Sequence, residues 1–205
     1  MKNKLNTITS AFIALCILFN VSQVKAQKEK GQSVITAGVG YSLVGIIGTA
    51  FADAIKSNTT VKMKNIPVIM GAYDFGISEK FSVGLSYTYQ SLSAEYDNYV
   101  KDTITYYGNF KDKITRQNIG IRPLFHFGDN EDLDTYFGAR LSYTLWNYTT
   151  TTNNTIEDFD DLFVGRPRFQ ALVGARYFFT DLIGFNFELA IGPSYFGLFG
   201  LNVKF

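Results

Sequence analysis

Phe81 to Gln90 reads FSVGLSYTYQ, and its alternation decides the fold. Phe81, Val83, Leu85, Tyr87 and Tyr89 fall on one side of an extended chain, and Ser82, Gly84, Ser86, Thr88 and Gln90 on the other. Successive side chains of a strand point to opposite faces, so this segment is a β-strand with one apolar and one polar face.

The same period recurs on both sides of it. In Ser33 to Leu43, Ile35, Ala37, Val39, Tyr41 and Leu43 oppose Thr36, Gly38, Gly40 and Ser42. In Thr135 to Leu145, Phe137, Ala139, Leu141 and Tyr143 oppose Gly138, Arg140, Ser142 and Thr144. Arg168 to Phe179 sets Phe169, Val173 and Tyr177 against Gln170, Gly174 and Arg176, and Gly184 to Ile191 sets Phe185, Phe187 and Leu189 against Asn186 and Glu188. Gly197 to Phe205 sets Phe199, Leu201, Val203 and Phe205 against Gly200, Asn202 and Lys204. Two strands are less regular. Arg116 to Phe127 carries Pro123, which lacks a ladder donor, on its apolar face. Ile66 to Phe75 fits best with Ile69, Tyr73 and Phe75 on the apolar side and Asp74 on the polar side.

These segments predict eight antiparallel strands of about ten residues, the length a tilted strand needs to cross a bilayer. Their connections alternate. Gly76 to Lys80, Gly128 to Leu133 and Thr180 to Ile183 are short, whereas residues 44–65, 91–115 and 147–167 form long polar loops. The connection near Pro193 to Phe196 is short again. Short turns at one end and long loops at the other suit a membrane barrel, and an even strand count brings both termini to the short-turn end.

A soluble barrel with an apolar ligand cavity shows the same period, so the direction of the apolar face has to be argued. The polar face is mostly Gly, Ser, Thr and Asn with isolated charges, where a water-facing surface would carry many more Lys and Glu. Phe and Tyr crowd the strand ends, as an interfacial girdle requires, and aromatic residues make up 16% of the chain. The near-balanced charge, +1, gives no basic patch for nucleic acid. Residues 1–26 read as a secretory signal peptide: Lys2 and Lys4, then an apolar core from Ala11 to Phe19, then Val24-Lys25-Ala26 with small residues before the cut. Cleavage after Ala26 removes Cys16, the only cysteine, and takes the net charge from +1 to −2, leaving residues 27–205 as the barrel domain. No later apolar run is long enough for a membrane helix, so only a closed barrel remains as a way to span.

The export signal, the eight amphipathic strands and a terminal Phe205 preceded by Val203, Leu201 and Phe199 resemble the small barrels of the OmpX and OmpA membrane-domain type. The resemblance covers the chain from about Gln32 to Phe205, and Gly197 departs from the terminal pattern at its far end. It implies an all-β, eight-stranded antiparallel transmembrane up-and-down β-barrel in a bacterial outer membrane. It also implies contact with membrane lipid, lipopolysaccharide included. Phe205, with Val203 and Leu201, resembles the C-terminal signal read by the barrel-assembly machinery. Such a resemblance is architectural and does not assign an activity.

By parity Arg122, Arg140, Arg176 and Glu188 point inward in the short-turn half of the lumen, with Asp74 as a second acid and Lys204 lower down. Charges in so narrow a space have to pair, and Glu188 is expected to bond at least one of the arginines. An ion path is the functional reading of this cluster. A salt-bridged plug is the plainer one, favoured because eight strands leave room for little besides side chains. His126, the only histidine, faces inward near a short turn. Lipid-modifying barrels of similar fold place a His and a Ser at the opposite rim, and no neighbouring Ser is evident here, so His126 reads as a satisfied lumen histidine and no catalytic triad is expected. Metal and cofactor sites are not expected either: histidine and cysteine do not cluster, and the loop acids Glu157, Asp158, Asp160 and Asp161 lack the turn-forming Gly of a calcium loop. Val44 to Lys56 is compatible with a short helix over the mouth or with a plain loop. The expected role is a non-enzymatic envelope scaffold whose three long loops meet surface partners. A lipid-modifying enzyme and a narrow ion pore are the alternatives.

Overall fold

The structure, a computed structural model, describes residues 30–43, 45–46, 61–101, 104–127, 132–152, 155–158 and 165–205. The strands are β1 (Ser33–Tyr41), β2 (Val61–Ser78), β3 (Phe81–Lys101), β4 (Ile104–Phe127), β5 (Leu133–Thr152), β6 (Thr155–Asp158), β7 (Arg166–Phe178), β8 (Ile183–Ile191) and β9 (Gly197–Lys204). Each barrel strand pairs antiparallel with its neighbours in sequence, β5 pairs β7, and β1 pairs β9, so eight strands close on themselves. The short β6 pairs only the far end of β5. Closure is completed by the chain's last residue: Ser33 N–H donates to Phe205 O at 2.8 Å, and Phe205 N–H donates back to Ser33 O at 2.9 Å. No sheet edge is left in the wall.

The barrel is inverted relative to a soluble one. Leu85, Ile119, Phe137, Phe169, Phe187, Leu189 and Leu201 stand exposed on the outer wall, and the belt they form runs right round it. A soluble monomer does not leave so large a continuous apolar surface in water. Polar and charged side chains fill the inside: Thr36, Asp74, Ser82, Thr88, Asn118, Arg122, Arg140, Arg176, Glu188 and Asn202 are all buried. Apolar residues such as Met70, Leu124, Leu172 and Leu198 pack among them. Near the short turns the outer wall carries touching rings, with Phe125 at 5.1 Å from Phe81 and 5.7 Å from Phe137, and Phe185 at 5.0 Å from Phe179. The chain is therefore an all-β, eight-stranded transmembrane-type barrel.

Two departures from strict alternation explain the less regular strands. The β2–β3 register shifts between Ile66 and Ile69, around Pro67, so the parity of β2 changes there. Beyond the bulge Ile69, Tyr73 and Phe75 are exposed and Asp74 is buried. In β4, Arg122 and Pro123 are missing from an otherwise continuous ladder to β5, as a residue without an N–H requires.

The long loops require correction. Residues 91–115 are not a loop: β3 and β4 stay paired from Ser91↔Thr115 out to Lys101↔Ile104. Likewise β2 begins at Val61, and β5 continues to Thr152 and turns back into β6. Where both faces of a hairpin meet water the hydropathy period disappears, but backbone pairing does not depend on it. Cross-strand side chains take over there. Tyr96 stacks on Phe110 at 5.6 Å, its hydroxyl donates to Asp112 Oδ2 at 2.9 Å, and Lys111 pairs with Glu95 at 2.7 Å. That lysine's hydrogen bond and charge hold the Glu95 carboxyl below its ordinary range. Of the mouth segment after β1, Leu43, Gly45 and Ile46 are helical, with Ile46 N–H donating to Ser42 O at 3.1 Å. Its remainder, the signal peptide with its cut after Ala26, and the acids Asp160 and Asp161 lie outside the described residues.

Placing a cation on the outer wall tests the direction of the faces. Leu85→Arg is expected to lower unfolding stability in lipid vesicles by roughly 2–4 kcal/mol, the cost of a cation near the bilayer midplane. An unchanged denaturant midpoint would mean that Leu85 does not meet acyl chains.

Candidate functional site

The polar interior concentrates buried charge. Its residues arrive from all eight barrel strands because the barrel aims every second side chain of each at the same axis. Glu188 on β8 is central, and its carboxylate is fully buried. Arg122 Nη2 donates to Glu188 Oε2 at 2.8 Å, and Arg140 Nη2 lies 3.6 Å from Oε1. Tyr136 OH donates to Oε2 at 2.9 Å, and the Tyr195 hydroxyl bonds Oε1. Arg122 also reaches a second acid, its Nε lying 3.2 Å from Asp74 Oδ1. Asp74 Oδ2 pairs with Arg176, whose Nη1 lies 3.3 Å from Asp134 Oδ2. Asp134 Oδ1 is 2.6 Å from His126 Nδ1, and His126 Nε2 is 2.9 Å from Ser82 Oγ.

Acid and base therefore alternate along one continuous line: Arg140, Glu188, Arg122, Asp74, Arg176, Asp134, His126, Ser82. Two tyrosines brace it. Each gives its hydroxyl to Glu188 and its ring face to arginines. Tyr136 lies 4.7 Å from the Arg176 guanidinium and 5.9 Å from that of Arg122, and Tyr195 lies 4.9 Å from that of Arg140. Such contacts add cation–π attraction to the hydrogen bonds. Arg140 is held further by Gln170 Oε1 at 2.8 Å. Lys204 sits lower, its ammonium 4.4 Å from the Phe178 ring. Two glycines make the room. A Cβ on Gly174 would lie 2.5 Å from the Tyr136 ring, and one on Gly84 would collide with the Asp74 carboxylate.

All six lumen residues expected from the sequence, Arg122, Arg140, Arg176, Glu188, Asp74 and Lys204, lie inside, and all but Lys204 belong to this line. Sequence reasoning missed Asp134, Tyr136 and Tyr195. Asp134 and Tyr136 share the inward parity of Arg140, so that signal was present, whereas Tyr195 sits in a connection where no period applies. The reading of His126 is also corrected. A serine does adjoin it: Ser82 on the neighbouring β3 and Asp134 across the β4–β5 turn give it a Ser–His–Asp alignment. Ser82 is completely buried, however, and Asp134 is shared with Arg176, so the line is closed to a substrate as it stands. Among the described residues no group of three or more His, Cys, Asp or Glu is placed to hold a metal ion.

Chemically, the arrangement is a solvent-excluding plug. Moving ions out of water costs several kcal/mol each, and only mutual pairing offsets that. Removing a carboxylate therefore leaves its arginines stranded. Glu188→Gln, nearly isosteric, is expected to lower unfolding stability by about 3–5 kcal/mol in denaturant titrations, as for a broken buried pair. Gly174→Ala, by crowding Tyr136, should cost roughly 1–3 kcal/mol. Wild-type stability in both would mean that the line does not hold the lumen.

Similarity to known proteins lies at the level of fold. No family model and no curated protein matches the chain. Solved structures do. The outer membrane protein OprG from Pseudomonas aeruginosa superposes with a TM-score of 0.51 at 12% identity, over 88% of this chain and 99% of that one. The N-terminal β-barrel domain of Pseudomonas aeruginosa OprF gives 0.46 at 15% identity, over 87% of this chain and 100% of that one. Ail, the attachment invasion locus protein of Yersinia pestis, gives 0.46 at 10% identity, over 86% and 99%. The likeness to OprG is that of one eight-stranded membrane barrel to another.

Proposed function

We propose that this chain is a non-enzymatic barrel of a bacterial outer membrane, a plugged scaffold that carries paired hairpins beyond the bilayer. The observation that supports it best is the pairing of a continuous apolar outer belt with a fully buried acid–arginine interior. The belt suits acyl chains, including those of lipopolysaccharide, and the interior suits neither transport nor turnover. In this reading Phe205, Val203 and Leu201 serve the barrel-assembly machinery during biogenesis. The hairpins of β3 with β4 and β5 with β6 are the surfaces that meet partners. Residues 1–26 direct export and are cleaved after Ala26 in this reading.

A second reading is kept because of the Ser82–His126–Asp134 alignment: a serine hydrolase acting on lipid at the short-turn end. It requires the lumen to open around Ser82. A narrow pore would likewise require the guanidinium of Arg122, now without exposed surface, to leave the axis.

Four measurements separate these. The scaffold reading predicts a folded band that shifts only on boiling, protein in the outer-membrane fraction, and no conductance steps in a planar bilayer. It also predicts no lipid product above that of Ser82→Ala. Soluble periplasmic protein with an unshifted band would contradict it. Steady conductance would favour the pore, and serine-dependent lipid cleavage the hydrolase.

A further inference from the structure

The outer end of the lumen holds a feature separate from the acid–arginine line. The β8–β9 connection bends over the mouth and, with Arg116, Trp146 and Arg168, encloses a pocket of about 280 Å³. Among the described residues no carboxylate lines it. Arg116 forms its floor and is only 3% exposed. Among the described residues its guanidinium bonds neutral acceptors: Nη2 donates to Gln90 Oε1 at 2.7 Å and to Ser194 O at 2.5 Å. Its Nε–H, also buried, meets no acceptor among the described residues. Ser194 Oγ is buried in the same wall and likewise has no partner among the described residues. Ser194 holds a φ of 97°, a conformation that non-glycine residues seldom adopt. Strained backbone of this kind persists where surrounding structure imposes it, often around a ligand. Arg168 stands exposed at the rim.

A buried guanidinium beside donors that no described acceptor meets, facing a pocket that no described carboxylate lines, is complementary to an oxyanion. Arginine presents several N–H groups in one plane and suits phosphate or sulfate better than a point charge would. The pocket is larger than a bare ion needs. Trp146 supplies an aromatic face, with the Arg116 guanidinium 5.6 Å from its ring centroid. We propose that this mouth pocket binds the phosphate or sulfate ester of a sugar-sized ligand. The oxyanion sits between Arg116 and Ser194, Arg168 reaches it from the rim, and the sugar body lies against Trp146. The ester comes either from a free sugar ester or from a lipid-borne headgroup sugar at the membrane surface.

Trp146 is the only tryptophan in the chain, so its fluorescence reports on this pocket alone. The refolded protein in an uncharged polyoxyethylene detergent is titrated with glucose 1-phosphate, inorganic phosphate and glucose at low ionic strength. A saturable change is expected with glucose 1-phosphate, a weaker one with inorganic phosphate, and none with glucose. Arg168→Gln, at an exposed position, should weaken binding at least roughly tenfold, the loss of one charge-assisted contact. Arg116→Gln should abolish binding while the boiling-dependent gel shift is retained. Repeating the titration in phosphatidylcholine vesicles with and without lipopolysaccharide identifies the source of the ester. If lipopolysaccharide blocks the response, the lipid headgroup is the occupant; if the response survives, the free ester is. No saturable change with glucose 1-phosphate, an equal response to glucose, or wild-type binding by both arginine variants would overturn the proposal.

Discussion

A barrel of eight strands can bury arginines on its axis only if carboxylates stand within reach of them, and the pairing of Glu188 and Asp74 with Arg122 is the contact on which the rest of the interior depends. Arg122 lies between the two acids, so it joins the Arg140 side of the line to the Arg176 side. Desolvation makes this arrangement expensive in isolation. What offsets the cost is density: each acid faces two arginines, and Glu188 also receives two phenol hydroxyls. A tyrosine answers two needs at once here, with its hydroxyl on the acid and its ring against the base. An interior filled this way excludes water without an apolar core, and the apolar side chains are left for the outside.

The wall follows from that interior. Side chains as large as Arg and Tyr need compensating space, and Gly84 and Gly174 supply it at the points where Asp74 and Tyr136 lie against the backbone. Closure through Ser33 and Phe205 removes the last free edge, so every barrel strand is paired on both sides. Beyond the bilayer the same strands continue as hairpins held by cross-strand pairs. An exposed ion pair such as Lys111–Glu95 contributes little by itself. Shape and backbone pairing carry those extensions outward. At the mouth the balance of charge differs: Arg116 and Arg168 face a pocket that no described carboxylate lines, where the interior pairs its arginines closely with acids.

Much of this was legible in the sequence because one rule, alternation, reports both membership of a strand and the side a residue faces. Parity alone placed Arg122, Arg140, Arg176 and Glu188 on a common axis. The rule lapses wherever its physical cause lapses. At Ile66–Ile69 a bulge shifts the count by one, and over 92–96 and 110–114 neither face is buried, so paired strands look like loop. Tyr136 was passed over although its parity matched Arg140, because a tyrosine reads as surface aromatic until an acid is known to lie opposite. Ser82 and Asp134 reach His126 through strand register, which alternation does not encode. Tyr195 and Ser194 sit in a connection, where nothing periodic marks them.

The coupling between Glu188 and Arg122 can be measured directly by a double-mutant cycle, with Glu188→Gln, Arg122→Met and the double variant unfolded by denaturant in lipid vesicles. If the acid exists to hold the arginine, the double variant is less destabilised than the two single losses combined, by an interaction energy on the order of 1–3 kcal/mol. Strictly additive losses would show that the two side chains share the lumen without holding each other there.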